Sequence, residues 1–307
     1  MRTRSLGRAC FAFHWSRRTI VQRAVCALAG LLAAFPTARA AQQPPISPDE
    51  IVGKTVANEL AAADDSGHYL YRLKKETPEF SETDAVIETK DWLIKRRLML
   101  NGKPLTSKQE EEEEKRLQSL IADPEKLQKM REEQRKHERR VRELVQALPA
   151  AFQYEYDSEE QRERGHQLIE LKFHPNPAYN PPSRELQILR GMDGTMVVDA
   201  TVYRLVRVQA RLIRRVNFAW GILGHLDQGG SFLLEQQDVG VGRWQFTLLA
   251  LHFTGKILFF KTINIDSTVR TSDLRRLKGD LTLVQGLELL RVEAEHAQPN
   301  PATGPPR

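Results

Sequence analysis

Val206-Arg207-Val208-Gln209-Ala210-Arg211-Leu212 is the stretch that decides the fold class. Apolar and charged or amide side chains alternate with a period of two, so one face of an extended strand is greasy and the other is wet. A few dozen residues on, Trp244-Gln245-Phe246-Thr247-Leu248-Leu249-Ala250-Leu251 carries apolar side chains at both parities. Ile257-Leu258-Phe259-Phe260 does the same. A strand apolar on both faces has to be covered on both faces, by a helix, a second layer or a ligand. Together the two patterns predict an antiparallel sheet with one wet face and a zone of surplus apolar surface.

Further strands are read at residues 68–73, 85–89, 92–100, 152–156, 167–173 and 194–199, and Asn101-Gly102 closes the third as a tight hairpin turn. Ser47-Pro48-Asp49-Glu50 reads as a helix start, with a capping Ser, Pro in the first turn and acids at the positive end of the dipole. Residues 106–148 form a charged helical insertion with a thin apolar stripe, broken at Asp123-Pro124. It reads as a solvated arm on the domain, with a coiled-coil arm as the alternative; acids and bases interleave along it. Ser183 is expected to cap a short helical turn ending at Arg190, and residues 281–290 form a short helix or edge piece. The predicted architecture is α+β: a strongly curved antiparallel sheet, or open β-barrel, of about eight to ten strands, with an N-terminal helix and the charged insertion.

The chain begins with Arg2, Arg4, Arg8, Arg17, Arg18 and Arg23, then the uncharged run from Ala24 to Phe35, then Pro36-Thr37-Ala38-Arg39-Ala40. Basic, apolar and small-x-small regions in that order read as a signal peptide over 1–40, cleaved between Ala40 and Ala41. The apolar run is shorter than the roughly 20 residues a membrane span needs, and no transmembrane span is read in the mature chain. Export by the general secretory route to the periplasm or outside is the expectation, with Ser16-Arg17-Arg18-Thr19-Ile20-Val21-Gln22 as a twin-arginine alternative. Of 46 Lys and Arg and 40 Asp and Glu, seven Arg and no acid lie in 1–40, which leaves 39 bases against 40 acids beyond it. The basic character therefore belongs to the leader, and the case for a nucleic-acid partner goes with it. Both cysteines, Cys10 and Cys26, also lie there, so residues 41–297, read as one α+β domain, use no disulfide or thiolate. Residues 298–307 are a Pro-rich, disordered tail.

Catalytic and metal motifs are absent from the sequence. There is no His-Glu-x-x-His, no Gly-x-Ser-x-Gly elbow and no phosphate or dinucleotide loop. His225, next to Gly224, is the best single candidate and reads as structural; His252 reads as a sheet residue, and Asp193 and Asp199 read as turn caps. No cofactor and no metal are implied, and an enzyme is the least favoured class.

Gly194-Thr195-Met196-Val197-Val198-Asp199 with Tyr203-Arg204-Leu205-Val206-Arg207-Val208 resembles the central hairpin of the outer-membrane lipoprotein-sorting fold (LolA/LolB-like). That resemblance implies an open barrel whose helices plug the mouth and whose interior holds acyl chains. Asn101-Gly102-Lys103-Pro104-Leu105, Trp220-Gly221-Ile222-Leu223-Gly224-His225-Leu226, Gly229-Gly230-Ser231-Phe232 and Leu281-Thr282-Leu283-Val284-Gln285-Gly286-Leu287-Glu288-Leu289-Leu290 are similar to an uncharacterised family of exported, acidobacterial-type proteins, which imports no catalytic residue. The functional expectation is a periplasmic carrier for an apolar ligand, a lipid or a lipoprotein's acyl chain. Phe218, Trp220, Ile222, Phe232, Leu234, Trp244, Phe246, Leu248 and Phe259 are the candidates to line its cavity, unless they form a closed core. The alternative is an envelope interaction protein that works through residues 106–148 and whose sheet survives deletion of residues 108–142. If the leader reading holds, N-terminal sequencing of the exported protein starts at Ala41-Gln42-Gln43; an intact Met1 end would show an uncleaved leader.

Overall fold

A computed structural model describes residues 46–64, 67–89, 92–157, 161–163, 165–218, 224–240, 243–257, 261–279 and 281–297. Residues 1–40, expected to be a leader, the expected cleavage point between Ala40 and Ala41, and residues 298–307 lie outside these residues. The chain opens with helix α1 (Pro48–Ala62), where Ser47 Oγ accepts the Glu50 amide and Pro48 fills the first turn. Strands β1 (His68–Glu76), β2 (Ser81–Glu88), β3 (Leu93–Leu100) and the two-residue β4 (Lys103–Pro104) follow. Asn101 and Gly102 both have positive φ, 51° and 71°, as a two-residue primed hairpin turn requires.

Helices α2 (Ser107–Ala122) and α3 (Pro124–Ala151) come next. They part at Asp123, whose carboxylate caps α3 while Pro124 blocks continuation of α2. The chain continues through β5 (Phe152–Tyr156), β6 (Gln161–Glu163) and β7 (His166–Pro175) to a 3-10 turn, Glu185–Gly191. Ser183 makes no capping bond to that turn, and its buried hydroxyl has no partner among the described residues. Strands β8 (Met192–Asp199), β9 (Arg204–Leu212), β10 (Val216–Phe218), β11 (Gly224–Leu226), β12 (Ser231–Asp238), β13 (Trp244–Ile257) and β14 (Lys261–Leu277) complete the sheet, and α4 (Leu283–Ala297) ends the described chain.

The class is α+β, and all these strands join one curved antiparallel sheet of fourteen strands that does not close. The excess over eight to ten comes from short pieces and from β14, whose polar sequence gives no alternation. β14 is held instead by its neighbours: β13 pairs with its first part, residues 261–270, and β1 with its last part, residues 268–277. Along the main path the order is β4-β3-β2-β1-β14-β13-β12-β9-β8-β7-β5. Its two ends, β4 and β5, are joined in sequence by α2 and α3. Near one end, Gln134 Oε1 on α3 accepts the Leu93 amide of β3 at 3.0 Å. At the other, Leu144, Val145 and Leu148 pack on the core beneath β5.

Register decides which face each side chain takes. The row Leu171, Met196, Val208, Leu234, Leu249, Val269 crosses six strands on one face. A second row, Phe173, Gly194, Ala210, Phe232, Leu251, runs parallel to it. The β5–β9 part of this face is sealed by Ile51, Val52 and Val56 of α1, the end of α3, and Leu186 and Leu189 of the 3-10 turn. On β1–β3 the opposite face is covered instead, where Leu70, Ile87, Ile94 and Leu98 meet Leu117 and Leu120 of α2 and Leu287 and Leu290 of α4. Residues 108–142 are therefore not a dispensable arm. Their removal strips Leu117 and Leu120 from this second core, contrary to the expectation that the sheet would survive it.

Charge fixes α2 in place. Glu114 accepts from Arg96 of β3 at 2.8 Å and from Arg291 of α4 at 2.5 Å, and these guanidinium bonds hold its carboxyl down at about 2. Burial pushes the Asp84 carboxyl of β2 up to about 6, with Glu82 adding repulsion. The two groups act oppositely. Asp84 binds a proton more readily folded than unfolded, so stability rises as pH falls through 6 toward 4; Glu114 is the reverse, so stability falls from about 4.5 down to 2. A melting-temperature profile is expected to peak near pH 4–5. Asp84→Asn should stabilise by about 2–3 kcal/mol at pH 8 and by nothing at pH 4; equal effects at both pH values would refute this assignment.

Candidate functional site

Strand β13 shows how the site arises. Leu251 and Phe253 pack into the main core and Leu249 shares their face by register, so by alternation Leu248, Ala250 and His252 point the other way. Among the described residues no helix covers that second face over β7–β9, β12, β13 and the first part of β14; α4 reaches only the far end of β14, where Glu293 pairs with Arg275. The bare face forms an open groove of about 780 Å³ that crosses six strands, from Lys172 and His174 on β7 to Asp266 and Thr268 on β14. Two cross-strand rows make its floor. The first is Asp193, Arg211, Ser231, His252, Asp266. Lys172, Thr195, Gln209, Leu233, Ala250 and Thr268 form the second. Leu233 and Ala250 are an apolar strip in the middle of otherwise polar surface. Leu248 lies in the next row, between Glu235 and Arg270.

Ion pairs lie along both ends of the groove. Arg211 Nε is 3.3 Å from Asp193 Oδ1, His252 Nδ1 is 3.8 Å from Asp266 Oδ2, His174 Nε2 is 3.7 Å from Glu155 Oε1, and Lys172 pairs with Asp157. These contacts are solvent-facing and individually worth ~1 kcal/mol or less. Their charges remain available to a ligand that covers them. Among the described residues no group of three or more His, Cys, Asp and Glu is placed to hold a metal ion, and no helix is long and apolar enough to cross a membrane.

The residues proposed from sequence to line an apolar cavity divide between two faces. Phe232 and Leu234 pack against the main core. Trp244 lies under the Arg204 guanidinium, 5.5 Å from ring centre to Cζ. Arg204 in turn pairs with Glu59 of α1 at 3.0 Å, and Glu59 also accepts from the Leu205 amide and Gln236. The Phe246 carbonyl accepts from the Thr271 hydroxyl, and Leu248 is on the groove side. Trp220, Ile222, Phe259 and the side chain of Phe218 lie outside the described residues. His225 meets Asp227 at 3.3 Å, which Arg215 also contacts at 3.4 Å, a turn-bracing arrangement. Asp199 caps the following turn through the Thr201 amide and holds His166 at 2.5 Å. Asp193 braces Arg211 across the strand pair.

The groove depends on a close approach of backbones. A Cβ on Gly194 would sit 1.9 Å from the Gln209 carbonyl oxygen and 2.8 Å from the Ala210 Cα. Backbone cannot yield as a flexible side chain can, so β8 and β9 would have to separate where the groove floor crosses them.

No protein-family model and no curated protein matches the chain. A crystal structure of a DUF1329 family protein from Desulfovibrio piger ATCC 29098 is similar at 11% identity, covering 78% of this chain and 97% of that one with a TM-score of 0.26.

Gly194→Ala is expected to cost roughly 1–3 kcal/mol through strand separation. Thr195→Ala, one residue away on the wet face, should change stability by less than about 0.5 kcal/mol. Paired urea melts check this; equal midpoints would show that the close approach is not a constraint.

Proposed function

We propose that this is an exported binding or carrier protein whose ligand is an elongated amphiphile, a lipid or a lipoprotein's acyl chain, laid across the groove. The observation that carries the reading is the Leu233–Ala250 strip, bare of any helix and flanked by Lys172, Arg211 and the histidines. Six strands about 4.8 Å apart span on the order of 24 Å, the length of an extended fatty acid. The leader supports a place outside the cytoplasm. The lipoprotein-sorting resemblance supports a lipid cargo, and a curved, unclosed antiparallel sheet with a few helices is compatible with that fold. The cargo position differs from the one the resemblance implies. Beneath α1 and α3 the space is filled by Leu171, Phe173, Val198 and Leu212, so the open face is the better seat.

The affinity follows from geometry. An open groove dehydrates one side of a chain, about half of the ~0.8 kcal/mol per CH₂ of full burial. Ten methylenes then give ~4 kcal/mol, and a charge-assisted bond from Arg211 to an anionic head adds ~2. The sum corresponds to a dissociation constant of tens of micromolar. A second reading, partner binding through residues 106–148, is supported by Ile121 and Val141, 47% and 45% exposed on the helices.

A fluorescent fatty-acid probe is expected to bind the purified protein in that range. Leu233→Glu should weaken it at least about tenfold, since a charge placed under the chain removes its apolar contact. Titration of wild type and variant checks this, and an unchanged affinity would remove the groove as the site.

A further inference from the structure

The first groove row places a serine, a histidine and an aspartate side by side on three adjacent strands. Ser231 of β12 is directly opposite His252 of β13, and His252 is directly opposite Asp266 of β14. Directly opposed side chains on one face have Cβ atoms about 5 Å apart, within reach of a hydroxyl and an imidazole. His252 Nδ1 faces the Asp266 carboxylate at 3.8 Å; shortened to a hydrogen bond when a ligand covers the pair, this contact would hold the proton on Nδ1 and leave Nε2 as the basic nitrogen. On the other side of Ser231, Arg211 is its opposed neighbour on β9. Nucleophile, base, orienting carboxylate and a cation for a developing oxyanion thus follow one another in a single line along the floor.

We infer that Ser231, His252, Asp266 and Arg211 form an acyl-transfer site that hydrolyses carboxylic esters lying in the groove. The substrate class rests on the amphiphile reading of that groove; the chemistry rests on the row. Ser231 Oγ attacks the ester carbonyl carbon as its proton passes to His252 Nε2, and Arg211 stabilises the negative charge that forms on the carbonyl oxygen. The carbon–oxygen bond to the alcohol breaks, and the alcohol leaves with the proton from His252. Water then repeats the sequence on the acyl-serine, releasing the carboxylic acid and restoring the hydroxyl. Asp266 is a positioning residue, since it acts through His252.

In the free protein His252 and Asp266 are 55% and 49% exposed and 3.8 Å apart. A ligand across the groove covers both, removes water and strengthens their attraction, and such contacts tighten when substrate binds. Arg211 is a single donor rather than a pair of fixed amides, so the turnover expected is slow.

The test uses the exported protein, a biotinylated fluorophosphonate and a p-nitrophenyl ester of a medium-chain fatty acid. Wild type is expected to label at Ser231, located by peptide mass spectrometry, and to hydrolyse the ester. Ser231→Ala should abolish labelling and lower hydrolysis at least about 100-fold, as His252→Gln should, with melting temperature unchanged. Asp266→Asn should lower hydrolysis less and alter its pH profile. Labelling absent from Ser231 at saturating probe, or hydrolysis unchanged in Ser231→Ala, overturns the inference even where the fatty-acid probe still binds. Labelling at Ser231 without fatty-acid binding upholds the chemistry and removes the amphiphile reading instead.

Discussion

Two-fold alternation along β13 is the constraint on which the rest depends. A strand gives successive side chains to opposite faces, and pairing with β12 and β14 on both edges leaves no freedom to slip by one residue without turning the core outward. Once Leu251 and Phe253 are committed to the core, Leu248, Ala250 and His252 are committed to the other face. The packed interior and the bare groove are two consequences of one register. That is why a single strand supplies both core side chains and the apolar strip of the candidate site.

The helices respond to the same alternation. The two largest apolar clusters each have helices over them, and the covered face changes from one half of the sheet to the other. Near β5–β9, α1 and the end of α3 lie on the face opposite the groove; over β1–β3, α2 and α4 lie on the other face. The connection between the two coverings is α3, tied to β3 through Gln134 and to the β5 region through Leu144 and Leu148. Free sheet edges are templates for unwanted pairing, and the segment that joins β4 to β5 in sequence also supplies helices beside both.

Much of this was legible in the chain and some was not. Capping at Ser47, the Asn101-Gly102 hairpin and the break at Asp123-Pro124 are local, and the structure has all three where the residues dictate. β14 carries no strand signal in the sequence because its side chains are mostly polar; two neighbouring strands, not its own pattern, hold it extended. The doubly apolar reading of β13 was sound as a pattern, but Phe232 and Leu234 fill the core while Leu248 faces away from it, a division that only cross-strand pairing reveals. Ser231, His252 and Asp266 carried no sequence signal, being 21 and 14 residues apart with no shared motif. Their adjacency is purely a property of register.

The pairing of β1 with β14 has a bearing on how the protein is made. His68 is opposite Leu277, so the N-terminal hairpins present an unsatisfied edge until almost the whole chain has emerged. Such long-range closure folds slowly, and a waiting edge invites pairing with other chains. On the proposed export by the general secretory route, the sheet would assemble only after the last strand arrives, which would spare the protein that exposure. A chain shortened before Lys261 would leave β1 and β13 each with one unpaired edge, so loss of that C-terminal part should give aggregates rather than a smaller working domain.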